Sequence, residues 1–189
     1  MQIHQLSVTY QAEQDRLLVR INSRAGEEMR LWLTRRLMVG LWPVLGKLHT
    51  EQLLAADGAT PPPDRADEDL RRMLADFRKE ELLQKADFDT PYQDKENLPL
   101  GADPLLATHV DATPLPGGRL RLAFSEKTGP AGAKARGFQV ELDTRLMQGF
   151  VHLLEQALAR AQWREPFVSA APLAEAGAET PADRPRYLN

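Results

Sequence analysis

Four histidines, His4, His49, His109 and His152, are the side chains best suited to metal binding or proton transfer, and none stands four residues from another. A helix that holds a metal through two imidazoles needs that spacing, because only then do both rings leave one face. Cysteine is absent, which excludes thiolate ligands, a Cys nucleophile and disulfides. His4 and His109 fall at the start of comparable strand patterns, so an enzyme or metal protein using both is one reading; histidines on solvated edge strands are the ordinary one. Carboxylates gather at Glu27-Glu28, Asp67-Glu68-Asp69 and Glu80-Glu81. The first pair opens a strand and the second group begins a helix, where acids complement the dipole. No spacing brings two of them to the separation that general acid–base work requires. Gly117-Gly118 and the Gly129–Gly132 stretch lack the strand-to-helix context of a phosphate loop, and Ser7, Ser23, Ser125 and Ser169 lack that of a nucleophile elbow. The sequence therefore assigns no catalytic residue, no metal ligand and no cofactor.

Two surfaces remain. In RLLVRIN, Leu17, Val19 and Ile21 alternate with Arg16, Leu18 and Arg20, and in MRLWL, Met29, Leu31 and Leu33 alternate with Arg30 and Trp32. If the apolar set faces a core, Arg16, Arg20, Arg30 and Trp32 share the outer face, and Arg121 belongs to a later strand of the same kind. Guanidinium groups beside an aromatic ring neutralise phosphates and stack bases, as a platform for single-stranded nucleic acid does. The second surface is the amphipathic stripe Leu70, Met73, Leu74 and Phe77 in ADEDLRRMLADFRKEELLQK, a helix able to dock a partner or lie across an open end of the fold.

These residues sit in a chain that repeats. LTRRLMVGLWPVL at 33–45 matches LDTRLMQGFVHLL at 142–154, sharing RLMxG and the apolar stripe that follows. Alternating strands precede each copy: MRLWL and FQVEL, then RLLVRIN and RLRLAFS, then a weaker strand before a turn at AEQD or Pro116-Gly117-Gly118. Thr34 and either Asp143 or Thr144 are suited to cap the helices. The expected stripes are Leu37, Leu41, Val44, Leu45 and Leu48 in one helix, and Leu146, Phe150, Leu153, Leu154 and Ala157 in the other. Pro43 lies inside the first helix, where it removes a backbone hydrogen bond.

The spacing thus predicts an α+β fold of two βββα half-repeats packed as one pseudo-symmetric domain, with a helix inserted between them. Its units are 1–56, a linker and acidic insert at 57–104, a second unit at 105–165, and a Pro- and Ala-rich tail at 166–189 expected to be disordered. The plan is similar to that of the Whirly and Pur single-strand-binding families, built from repeated sheet-then-helix units with typically four strands per helix. Three strands per unit are read here and none of those families' motifs is present, so that similarity carries over no functional residue.

The 189 residues fit one ordinary domain, and an apolar fraction of 42% beside a charged fraction of 27% excludes collagen, coiled-coil fibre and wholesale disorder. No apolar run approaches the length of about 18 residues that marks a membrane-spanning helix, and MQIHQLSVTY has no basic-then-apolar leader, so a cytoplasmic protein off the membrane is expected. Most of the basic residues are Arg, consistent with the codon bias of a GC-rich bacterial genome. The net charge of −3 is uneven: residues 1–50 are basic and 51–100 are acidic. Two functions follow. One is a non-catalytic bacterial adaptor with a protein partner or a second copy of itself. The other is binding of single-stranded nucleic acid through Arg16, Arg20, Arg30, Trp32 and Arg121.

Overall fold

A computed structural model describes residues 2–55, 66–127 and 136–163. The expected linker at 57–63 and tail at 166–189 lie outside them. In chain order the elements are β1 (Ile3–Gln11), β2 (Arg16–Ser23), β3 (Glu28–Thr34), α1 (Arg35–Ala55), α2 (Ala66–Gln84), β4 (Leu105–Leu106), β5 (His109–Leu115), β6 (Arg119–Glu126), β7 (Arg136–Leu142) and α3 (Thr144–Ala161). The strands make two sheets, β1-β2-β3-β4 and β5-β6-β7. The protein is therefore mixed α+β, and a short parallel strand, β4, joins six expected strands.

Each half begins as an antiparallel meander because period-2 alternation gives every strand one apolar face. Leu17, Val19 and Ile21 stand opposite Leu33, Leu31 and Met29. Leu120, Leu122 and Phe124 stand opposite Leu142, Val140 and Phe138. The β5–β6 turn takes positive φ at Gly117 and Gly118, a conformation that glycine adopts without a Cβ clash. The β1–β2 turn is a short 3-10 stretch at Ala12–Gln14 closed by Asp15 in the left-handed region.

Both helices start as the sequence asks. The Thr34 hydroxyl accepts from the Leu37 amide at 3.2 Å, and an Asp143 carboxylate oxygen accepts from the Leu146 amide at 2.8 Å. The helices then cross over: α3 lies on β1 of the first meander, and α1 lies beside β5 of the second. One continuous core results, joining Leu17, Val19, Leu31 and Leu33 to Leu122, Phe124, Met147, Phe150 and Leu154. The buried face of α1 runs through Met38, Leu41, Leu45 and Leu53. Val44, expected in that stripe, is instead 47% exposed, because the neighbouring β5 side leaves an open groove. Among the described residues no helix is long and apolar enough to cross a membrane.

Candidate functional site

On the outer face of β2 and β3, register fixes who neighbours whom: Arg16 lies opposite Thr34, Leu18 opposite Trp32, Arg20 opposite Arg30, and Asn22 opposite Glu28. The expected row of Arg16, Arg20, Arg30 and Trp32 is thus on one face, and all four are half-buried. What covers part of that face is the irregular segment after α2. Arg20 Nη1 meets Asp94 Oδ1 at 2.5 Å, while its guanidinium lies 4.4 Å from the Tyr92 ring centroid. Asn22 donates to the Gln93 carbonyl at 2.9 Å, and the Gln93 amide donates to Gln5 Oε1 at 3.0 Å.

Glu28 anchors this arrangement. Its side chain is fully enclosed; Oε1 accepts from Arg30 Nε at 2.6 Å and Oε2 from the Lys95 amide at 2.8 Å. The Glu28 amide donates to the Asn97 carbonyl, and Glu27 forms a parallel bridge to Asn97. A buried carboxylate is tolerated only when its lone pairs are used, and here a cation and a backbone amide use them. Burial, together with the Glu28 charge, raises the Tyr92 hydroxyl above the usual phenol range. Gln5, Asn22, Glu28, Tyr92 and Asp94 escaped the sequence reading as a group. The available signal was the alternation itself, which sets Asn22 and Glu28 in line with Arg20 and Arg30.

Arg121 is not part of that face. It lies on the second sheet, opposite Glu141, and its Nη2 reaches Glu141 Oε1 at 2.9 Å while Arg119 takes the other oxygen at 3.1 Å. The Arg121 hydrogen bond is the main cause that holds the Glu141 carboxyl below its usual range.

His4 and His109 do not begin equivalent strands in register. His109 faces Ser125 as Gln5, rather than His4, faces Asn22, and His109 pairs with Asp111 at 3.1 Å. Among the described residues no cluster of His, Asp and Glu could hold a metal ion. His49 is buried in α1, with Nε2 unpartnered; burial first, and the nearby Lys79 charge second, lower its pKa to about 4.

The inserted helix α2 packs against α1 and α3 rather than over the sheet. Among the described side chains of α2 Ala75 is buried, small enough for close approach, and the Arg78 guanidinium donates to the Leu53 carbonyl of α1. Arg145 of α3 donates to the Lys85 carbonyl just past the end of α2 at 3.1 Å. The stripe named from sequence turns away from this contact. Leu70 is 61% exposed, Met73 69%, Leu74 38% and Phe77 69%.

A third feature is a groove of about 660 Å³ between the first turns of α1 and the chain from Leu106 to Ala112. Leu37, Gly40, Leu41 and Val44 form its helical wall. No family model matches this chain, and neither a curated protein nor a solved structure matches it.

Proposed function

We propose that the protein is a non-catalytic binding module of the bacterial cytoplasm that holds a protein partner on α2. The observation that carries this reading is the exposed stripe of Leu70, Met73, Leu74 and Phe77 on a helix whose other side is docked. Apolar surface withdrawn from water is stabilised by about 25 cal/mol per Å², so an uncovered row of this kind favours association. Spacing at i, i+3, i+4 and i+7 fits the ridge of a second amphipathic helix, and methionine adapts to irregular contact. Two helical turns make a short strip, suited to a partner that comes and goes.

The reading of the chain as a duplicated βββα unit fits the same picture, since it leaves α2 as the element added to a self-sufficient frame. It is supported by the matched strand registers and by caps at Thr34 and Asp143, which stand at the offset of the RLMxG match. Nucleic-acid binding has less behind it. Arg20, Arg30 and Arg121 each face a carboxylate, and only Arg16 of that set makes no ion pair among the described residues.

The test is the native mass of the full chain in extract from its own cells, compared with a Met73→Asp, Phe77→Asp variant. The unaltered chain is expected to migrate well above its 21.2 kDa and the variant at it, with equal melting temperatures for the two purified proteins. Equal migration at 21.2 kDa for both would overturn the reading.

A further inference from the structure

Two polar rows cross the first sheet. Register sets Gln5, Asn22 and Glu28 in line on β1, β2 and β3, and Ser7, Arg20 and Arg30 in a second line. Both rows lie on the face away from the core, because Leu6, Ile21 and Met29, the row between them, pack on it.

The irregular chain between α2 and β4 follows the first row in strand order. Gln5 Nε2 donates to the Pro91 carbonyl at 3.1 Å, and Gln5 Oε1 accepts from the Gln93 amide at 3.0 Å. Asn22 Nδ2 donates to the Gln93 carbonyl, and Glu28 Oε2 accepts from the Lys95 amide. The Glu28 amide donates to the Asn97 carbonyl. Backbone groups of residues 91, 93, 95 and 97 thus face the sheet, and Gln93 turns its amide and its carbonyl to the same side, as an extended chain does. Tyr92 and Asp94 reach the second row. Both rest on the Arg20 guanidinium, one through its ring and the other through its carboxylate.

The first row therefore reads peptide groups, which any chain carries, while Arg20 reads one aromatic and one acidic side chain. Peptide recognition divides its work in this way, with backbone hydrogen bonds for affinity and side-chain contacts for choice. The hold is also exchangeable. A hydrogen bond contributes about 1 kcal/mol net, and an exposed ion pair about as little. Pro91, Gln93, Asp94 and Glu96 are exposed, so little apolar burial fastens the segment. Beneath it Asn22 and Glu28 are buried, and buried polar groups need partners. The row is thus stable only with a peptide lying on it.

We propose that Gln5, Asn22 and Glu28, with Arg20 beside them, form a binding site for an extended peptide carrying an aromatic-x-acidic triplet. Tyr92-Gln93-Asp94 fills this site in cis until such a peptide from another protein takes its place. The inference is independent of the α2 reading. Tethered by α2 before it and β4 after it, the internal segment stays at high local concentration and sets the threshold that an incoming peptide must exceed.

The test adds a fluorescent peptide with the sequence of residues 90–97 to the full chain and follows its anisotropy. Asp94→Ala removes a side chain that is 67% exposed, so it weakens the internal segment in an intact fold, and adding Tyr92→Ala weakens it further. The single and the double variant are each expected to bind the peptide at least about tenfold more tightly than the unaltered chain does. Adding Arg20→Gln is expected to abolish that gain, and a peptide with alanine in place of its tyrosine and aspartate is expected not to bind. No binding to either variant, a gain that survives Arg20→Gln, or equal binding of the two peptides would overturn the proposal. So would single-stranded DNA that displaces the peptide as well as unlabelled peptide does, which would assign the arginines to nucleic acid.

Discussion

Glu28 is the residue on which the polar clasp over the first sheet depends. Removing it leaves Arg30 and the Lys95 amide without their acceptor in a place that water reaches poorly. Glu28→Ala is expected to destabilise the fold by about 3 kcal/mol in chemical denaturation. It should also open the 91–97 segment to protease; unchanged stability and protection would show that the clasp is idle. His49 gives a second reading at this scale. An unfolded histidine takes its proton near pH 6.5 and the buried one only near 4. Between those values the unfolded state binds the extra proton, so this contribution to stability is full above pH 6.5, falls as pH drops and levels off below about 4. The whole window amounts to about 3 kcal/mol. His49→Leu is expected to flatten that part of the stability–pH curve, and an unchanged slope between pH 6.5 and 4 would contradict the burial argument.

At the scale of elements, glycines report local constraint in opposite directions. A Cβ on Gly46 meets nothing within 4 Å, so Gly46→Ala is expected to stabilise α1 by about 0.5–1 kcal/mol. A Cβ on Gly137 would lie 2.6 Å from the Phe124 carbonyl oxygen, so Gly137→Ala is expected to force β6 and β7 apart at a cost of about 2 kcal/mol. Thermal melting of the two variants should shift in opposite senses; a shared sign would contradict this reading of the β6–β7 pair. The strands and helix caps were legible in the sequence because alternation and capping are local: Leu17, Val19, Ile21 and Asp143 carry their roles in their own neighbourhood. The stripe on α2 was legible for the same reason. What the sequence could not display was the clasp, since Glu28 meets Lys95 and Asn22 meets Gln93 only after the chain has folded back. The two residues of β4 were too few to show a period. Val44 misled because its helical position was apolar while the strand facing it, with Ala112, was too slight to cover it.

At the scale of the whole molecule, each helix completes the other half's meander, so neither half encloses a core alone. Residues 1–56 and 105–165 expressed separately are therefore expected to lack cooperative thermal transitions, and the full chain to unfold in one. A cooperative transition in either fragment would contradict the shared core. On this frame α2 is held by Ala75 and Arg78 and still keeps Met73 and Phe77 in water, which is the central reason for reading the protein as a partner-binding module. The most direct test places a photo-reactive residue at Met73 in the full chain within its own cells, with Glu51 on the exposed side of α1 as the control position. A discrete adduct is expected from position 73, none from 51, and loss of the adduct when Phe77→Asp is added. Adducts of equal yield at both positions, or none at position 73, would contradict a docking role for the helix.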